Sequence, residues 1–306
     1  MVIRPYHDSP QVTKSEIINI SQATAGRCAI DTLQQTVKQN KMDRVKKYFK
    51  KEFTVDMLSL GHDSASDFYL SSWQRNRSAI PLLFIRTIIF VGCVSILISS
   101  MVITSRVLTF GTWFIFLTHW GLVLNTVACG QAFVVSVIAF SRGPIDASLG
   151  LPWYVKIYWA FYNISIPIAL FISIFYFAML TDLSDTFGMN PVLDVFIHLV
   201  NSLLMLILVA VSRHPTRLLH FYWSLGAAFI YMIFTVIFHF AGGISPFGES
   251  WIYPMINWSN PGPTIGVVIG SAVGLIVLHA ILVGITVTRK KLTLRLRQTN
   301  SFNTVN

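Results

Sequence analysis

The sequence predicts an all-α membrane protein with six transmembrane helices and both termini in the cytosol, and three observations support this prediction. Of the 306 residues, 54% are hydrophobic and only 12% are charged, which is too apolar for an ordinary soluble domain. Six apolar segments of membrane-crossing length follow a polar start. Lysine and arginine collect in alternate connections between these segments, as they do in multipass membrane proteins.

A polar tail, residues 1–79, precedes the first apolar segment and carries twelve Lys or Arg and eight Asp or Glu. Because the first apolar run starts near Ile80, we expect no cleavable signal peptide and a cytosolic tail. The stretch from Leu33 to Phe53 spaces its apolar residues at intervals of four or eight, with basic residues around them. This pattern predicts a basic amphipathic helix on an anionic membrane surface, and the alternative is a solvated segment with a chance pattern.

The membrane domain is predicted to cover residues 80–288, with a basic cytosolic C-terminal tail at residues 289–306. Each of its six apolar segments reaches or approaches the ~20 residues that cross the hydrocarbon core of a bilayer. The segments lie at Thr87–Thr104, Trp113–Phe140, Trp153–Leu180, Val192–Val211, Phe221–Phe240 and Ile265–Val287.

The basic residues around the segments give the predicted orientation, because Lys and Arg are retained on the cytosolic side. One side holds twelve of them, namely Arg75, Arg77, Arg86, Arg142, Lys156, Arg213, Arg217, Arg289, Lys290, Lys291, Arg295 and Arg297. The other side holds Arg106. Both termini are therefore predicted to be cytosolic, and the formal charge of +10 reflects membrane topology, so we expect no nucleic-acid partner.

The connections on the opposite side are predicted at Ser105–Thr112, Thr181–Pro191 and Ala241–Thr264. The last is rich in Trp, Tyr, Pro and Gly, which favours an ordered cap at the membrane interface. The three cysteines are widely spaced and support neither a disulfide framework nor a zinc site. No phosphate loop or zinc motif is present either, so we predict no metal and no cofactor.

Polar side chains inside the second apolar segment mark a candidate pocket. Thr118 and Asn125 lie seven positions apart, on one stripe of a helix. An unpaired amide in hydrocarbon costs several kcal/mol, so such residues normally face the bundle interior or a wet cavity. The stripe is therefore a candidate pocket wall, and the alternative is that these side chains only join helices together.

The fourth segment supplies residues that could activate a hydroxyl group, because Asp194, His198 and Asn201 share one helical face. At 1.5 Å per residue, Thr118 and His198 lie ~8 and ~9 Å from the outer ends of their segments, so they could meet. A hydroxyl nucleophile needs a base, which in turn needs an orienting group. We predict Thr118 as nucleophile, His198 as base and Asp194 as orienting group, and the alternative is a purely structural contact.

The predicted pocket faces outward and has further walls. Asn125 and Asn201 lie deeper in the second and fourth segments, and His239 ends the fifth segment at the outer face. Trp251 and Tyr253 belong to the predicted cap and could close over the pocket.

Six sequence blocks carry a family resemblance that covers most of the chain. They are SSWQ at Ser71–Gln74, FLTHWG at Phe116–Gly121, IYWAFYNISIP at Ile157–Pro167, IHLVNSLLML at Ile197–Leu206, RHPTRLLHFY at Arg213–Tyr222 and IYPMINWSNPG at Ile252–Gly262. With these blocks in this order and spacing, the chain resembles the rolling stone-like membrane proteins, a group associated with myoblast fusion.

That group is distantly similar to the androgen-induced membrane hydrolases, which cleave fatty acid esters of hydroxy fatty acids with a threonine and a histidine. The similarity places Thr118 at the position of their nucleophile. Their fourth segment reads N-H-x-x-H, whose first histidine matches His198 and whose second, taken as the catalytic one, aligns with Asn201. Because an amide cannot act as a general base, either His198 has taken over this role or the esterase activity is absent.

We therefore predict an integral, multipass protein of the plasma membrane or the endoplasmic reticulum whose pocket handles a membrane lipid. The expected partners are membrane lipids, with a lipid ester as candidate substrate and hydrolysis as candidate reaction. The alternative function is a non-catalytic membrane protein that acts in cell fusion or adhesion.

Overall fold

The structure is a computed structural model. It describes residues 38–39, 42–43, 45–181 and 190–303, with side chains described as far as residue 296. The chain divides into two compact units, Met1–Thr54 and Val55–Asn306. Throughout these described ranges the regular secondary structure is helical, and no strand is formed.

Six of the described helices are long and apolar enough to cross a membrane, which confirms the predicted all-α fold with six spans. The chain is thus an integral, multipass membrane protein. In chain order, the first to sixth spans are Ile80–Val107, Leu117–Ser141, Trp153–Met179, Pro191–Val211, Leu218–Phe240 and Pro261–Leu296.

The third span lies at the centre of the second unit, where it contacts the second, fourth, fifth and sixth spans. The first span packs on the second and fourth. Gly121 lies at the contact between the second and third spans, where an added Cβ atom would lie 2.5 Å from Ile172 Cδ1 and the end of that side chain would have to shift. Small residues at helix contacts are typical of membrane proteins, where packing replaces the hydrophobic effect between helices.

Several helix ends differ from the prediction, and the first span begins at Ile80 and not at Thr87. A short helix, Phe110–Trp113, is separated from the second span by Phe116, whose backbone is extended. The last helix begins at Pro261, which the sequence placed in the cap, because proline lacks an N–H group and suits the first turn of a helix. That helix continues to Asn303, so the predicted C-terminal tail is largely helical.

Residues 55–79 pack with the spans, although the sequence placed them in a polar tail. The buried Arg86 guanidinium donates to the carbonyl of Phe68 at 2.8 Å, and that phenyl ring is fully buried. Arg217 donates to the carbonyl of Ser59 at 2.6 Å. These arginines, counted above as cytosolic loop charges, hold the segment against the spans because guanidinium groups can satisfy several carbonyls at once.

The predicted amphipathic stretch belongs to the first unit. Residues 45–52 are helical there, and the rings of Phe49 and Phe53 stack with centroids 6.3 Å apart. The start of the stretch, residues 33–37, lies outside the described residues.

The connection between the fifth and sixth spans, residues 241–260, forms an ordered cap on one end of the bundle. Ile252 and Tyr253 are buried in it and pack in one cluster with Tyr231. Gly248 has a φ of +75° in the turn that its N–H closes on the Ser245 carbonyl, a conformation that glycine allows without strain. Of the two other connections predicted at this end, Thr181–Pro191 falls mainly on residues 182–189, outside the described residues.

Candidate functional site

Thr118 lies in the first turn of the second span, at the cap end. The span begins at Leu117, so its first N–H groups have no acceptor four residues back. The N–H of Leu117 donates to the Tyr253 hydroxyl at 3.0 Å, and the backbone and side chain of Thr118 also interact with that hydroxyl. The break after Trp113 therefore places the Thr118 hydroxyl at the positive end of a 25-residue helix.

His198 faces Thr118 from the fourth span, with its Nε2 atom 3.4 Å from Thr118 Oγ1. It lies in a π-helical turn, Phe196–Val200, where the N–H of Asn201 bonds to the carbonyl of Phe196. The His198 carbonyl accepts a hydrogen bond from the Ser173 hydroxyl of the third span. Such turns occur often at functional sites because they redirect side chains within an otherwise regular helix.

The orientation of the His198 ring is set by two contacts. Nδ1 lies 3.1 Å from the backbone carbonyl of Asp194, which can only accept, so Nδ1 carries the proton. The ring also stacks on Tyr176, with centroids 3.5 Å apart. Nε2 is thereby left with a lone pair that can accept the Thr118 hydroxyl proton.

The Asp194 carboxylate makes no direct hydrogen bond to the His198 ring, although the sequence predicted this residue as the orienting group. Its Oδ1 atom lies 4.0 Å from His198 Nδ1, and its Oδ2 atom accepts a hydrogen bond from the Tyr176 hydroxyl at 3.1 Å. The backbone carbonyl of this residue, not its carboxylate, makes the direct contact with the ring. The carboxylate can still stabilise a positively charged imidazole, because a 4 Å separation in a buried site leaves a substantial attraction.

An apolar cavity of about 310 Å³ opens beside Thr118. The second, third, fifth and sixth spans and the cap enclose it, and most of its wall is aliphatic or aromatic. Thr118 and Tyr253 bring polar groups to its cap end. A hydroxyl at the wall of an apolar cavity, with a base behind it, is suited to a substrate that is mostly hydrocarbon.

Two of the predicted pocket residues lie elsewhere in the bundle. Asn125 is fully buried and Asn201 is 5% exposed, but neither lines the cavity. Both side chains are buried inside the bundle, whereas the sequence predicted them in the pocket wall.

His239 and Trp251 also lie outside the cavity wall. His239 donates from Nδ1 to the carbonyl of Ser250 at 3.1 Å, which ties the fifth span to the cap. Trp251 stacks on Phe247, with centroids 5.7 Å apart. Their contacts stabilise the cap that holds Tyr253 in place.

Tyr176 and Ser173 belong to the site but were not predicted from the sequence. The Tyr176 ring stacks on His198, and its hydroxyl donates to the Asp194 carboxylate. The Ser173 hydroxyl donates to the His198 carbonyl in the π-helical turn. A tyrosine near the end of an apolar segment is usually interpreted as an anchor at the membrane interface, so a contact with catalytic residues was not expected. The available signal was the spacing of three, which places both polar side chains on one face of the third span.

Within the described residues, no group of three or more His, Cys, Asp or Glu side chains could hold a metal ion. Cys93 and Cys129 are buried free thiols, with their sulfur atoms 3.6 Å apart.

Comparison with known proteins gives the family. The sequence model described as Rost, protein rolling stone, matches residues 39–301. The chain belongs to the rolling stone family. Protein rolling stone of Drosophila melanogaster is 30% identical over 227 residues, which are 70% of this chain and 80% of that protein. No solved structure matches the chain.

The rolling stone match runs from the tail into the last helix, so it contains all six described spans and the cap. Thr118, His198 and Tyr253 lie inside the matched region. The predicted resemblance to rolling stone-like proteins is thereby confirmed, and the more distant similarity to the membrane hydrolases stays a prediction.

Proposed function

We propose that this rolling stone family protein is an intramembrane hydrolase that cleaves a fatty acyl ester with Thr118 as nucleophile. The observation that carries the proposal is the 3.4 Å contact between Thr118 Oγ1 and His198 Nε2 at an apolar cavity. A threonine hydroxyl is a weak nucleophile until a base accepts its proton. The distance is long for a hydrogen bond, and catalytic contacts of this length shorten when substrate binds.

In the acylation step, Thr118 Oγ1 attacks the ester carbonyl carbon while His198 Nε2 takes the hydroxyl proton. The carbonyl oxygen gains negative charge, which the Tyr253 hydroxyl and the positive end of the second span stabilise. The bond between the carbonyl carbon and the alcohol oxygen then breaks. The leaving alcohol takes the proton from His198, and an acyl ester remains on Thr118.

In the deacylation step, water attacks the acyl carbonyl carbon and His198 takes its proton. The bond to Thr118 Oγ1 breaks, the fatty acid leaves, and the proton returns to the Thr118 hydroxyl. Throughout both steps, the Asp194 carbonyl holds Nδ1–H, and the carboxylate of the same residue offsets the transient positive charge.

The competing function is a non-catalytic membrane protein that acts in cell fusion or adhesion. Asn201 supports it, since this residue aligns with the histidine taken as catalytic in the hydrolases that the chain resembles. In that case the contact between Thr118 and His198 would only join the second and fourth spans, which is the usual use of polar side chains in membranes.

Labelling with a hydroxyl-reactive, lipid-like phosphonate probe separates the two functions. We expect the wild type to be labelled and both Thr118→Ala and His198→Ala to lose labelling, because removal of a nucleophile or base costs several orders of magnitude in rate. Thr126→Ala is the matched control, since that hydroxyl donates to the Leu122 carbonyl of its own helix at 2.8 Å. It should keep the wild-type rate.

Stability is measured on the same variants, because a lost membrane hydrogen bond is expected to cost only ~0.6 kcal/mol. A folded wild type without labelling, combined with a gain of esterase activity in Asn201→His, would establish a non-catalytic relative and contradict the proposal.

A further inference from the structure

We propose that the cavity beside Thr118 is a slot for one acyl chain, which enters from the bilayer and points toward the membrane midplane. The inference deepens the proposed function, on which it rests for the position of the ester at Thr118. Binding of the chain itself requires no catalysis, so the two can be tested separately.

The cavity is elongated along the spans. Its lining extends from Ile168 on the third span to Leu180 just after that span, and from Leu225 to Thr235 on the fifth. At 1.5 Å per residue, these intervals correspond to ~18 and ~15 Å. The hydrocarbon core of a bilayer is ~30 Å thick, so the cavity reaches from the cap end to about the middle of the membrane.

The shape of the cavity suits an acyl chain. About 310 Å³ is spread along at least ~15 Å of helix, so the cavity is long for its volume. A hydrocarbon chain suits such a space because it can follow the spans and contact apolar side chains along its whole length. We therefore assign the cavity to one acyl chain.

Most polar groups of the cavity lie where an amphiphile needs them, and Ser271 is the polar side chain that lines it farther down the sixth span. Thr118, Thr235 and Tyr253 lie at the cap end, near the membrane face. The opposite end is closed by the side chains of Leu225 and Leu275, which pack in one apolar cluster. A lipid in the adjacent leaflet has the same orientation, with its ester near the face and its chain toward the midplane.

The wall of the cavity reaches the lipid-facing surface of the bundle. Phe229 lines the cavity and is 58% exposed on the fifth span. Ala228 and Ala272 place small side chains in the walls of the fifth and sixth spans. A chain can therefore pass sideways from the bilayer into the cavity without leaving hydrocarbon.

The test uses full-length Thr118→Ala protein in phosphatidylcholine nanodiscs, so that no turnover occurs and two-chain lipid is present in excess. The probe is a fatty acid methyl ester with a photoreactive diazirine, placed either near the ester or at the methyl end. Mass spectrometry of the cross-linked peptides should find the first probe on cap residues near Tyr253 and the second near Leu225 or Leu275.

Ala272→Trp, added to this protein, fills the cavity and should reduce both cross-links at least ~10-fold. Val273→Trp is the matched control, because Val273 is next to Ala272 in the chain but its side chain is 55% exposed and does not line the cavity. Equal cross-linking in the two variants, or a methyl-end probe found only on lipid-facing residues, would overturn the acyl slot. The mapping in the parent protein decides the matter if Ala272→Trp does not fold.

Failure of this inference differs from failure of the proposed function. Ordered cross-links in a protein whose Thr118 is never labelled would leave a lipid-binding slot without hydrolase activity. Labelled Thr118 with no ordered cross-links would leave the hydrolase and remove the slot.

Discussion

His198 presents its Nε2 lone pair to Thr118 because its other ring nitrogen is already bonded to the backbone carbonyl of Asp194. A backbone carbonyl survives substitution of the side chain. The ring orientation is therefore less dependent on the Asp194 carboxylate than the usual hydroxyl, base and carboxylate arrangement suggests.

This geometry predicts the effect of Asp194→Asn. The carbonyl remains, and the amide oxygen can still accept from Tyr176, so the rate of probe labelling should fall by less than ~10-fold. The comparison is with His198→Ala, which should abolish labelling. A loss as complete in Asp194→Asn would show that the carboxylate itself orients the base.

Tyr253 is the proposed donor to the developing oxyanion. Burial raises the pKa of its hydroxyl, so the group keeps its proton through and above the ordinary range near pH 10. Tyr253→Phe should slow labelling by about 10²-fold, as removal of an oxyanion donor does in other hydrolases. The wild-type rate should show no loss from Tyr253 ionisation as the pH rises toward 10.

The control for this variant is Tyr222→Phe, whose hydroxyl donates to the Leu58 carbonyl at 2.9 Å, away from the cavity. Equal effects of the two substitutions would mean that Tyr253 acts only through the packing of the cap.

At the scale of helices, the number of spans and most of their bounds were predictable, because ~20 consecutive apolar residues are a strong signal. The break before Leu117 and the π-helical turn at Phe196–Val200 were not. Both interrupt apolar runs without any change in hydropathy, and both decide where Thr118 and His198 point. Depth along a helix follows from residue spacing, so the sequence alone could predict that Thr118 and His198 lie at the same level in the membrane.

The cavity wall was not predictable in the same way. Helix rotation and tilt depend on packing against neighbours, and a hydropathy pattern leaves them undefined. Asn125 and Asn201 were expected in the pocket because they are polar, whereas the wall consists of residues such as Phe171 and Leu225 that look like ordinary core. The packing of residues 55–79 on the spans was not predicted for a related reason, since Arg86 and Arg217, which hold this segment, were interpreted as loop charges.

The amphipathic stretch, residues 33–53, yields a prediction at this scale. As an isolated peptide it should bind anionic vesicles and gain helix content, with binding that weakens as salt rises, because exposed charges are screened over ~8 Å at physiological ionic strength. Circular dichroism in the presence of anionic and neutral vesicles measures this. Equal helix formation on anionic and neutral vesicles would mean that the basic face does not bind the membrane and is only a solvated surface.

At the scale of the whole molecule, orientation decides which leaflet supplies the lipid. The charge asymmetry predicts cytosolic termini, which would place the cap and the mouth of the site on the opposite side of the membrane. A protease-cleavable tag at either terminus should be cut only from the cytosolic side, and a tag inserted near Gly248 only from the other. A terminal tag cut from outside would reverse the leaflet assigned to the substrate.

An acyl group on Thr118 is the central claim, and trapping that intermediate tests it most directly. Wild-type protein is mixed with a fatty acyl ester, quenched in acid and digested, and the peptide that contains Thr118 is analysed by mass spectrometry. We predict that its mass increases by that of the acyl group, that fragmentation places the group on Thr118, and that His198→Ala shows no increase. Ester turnover with the acyl group on another residue, or an unmodified Thr118 peptide in protein that turns over no ester, would contradict the account.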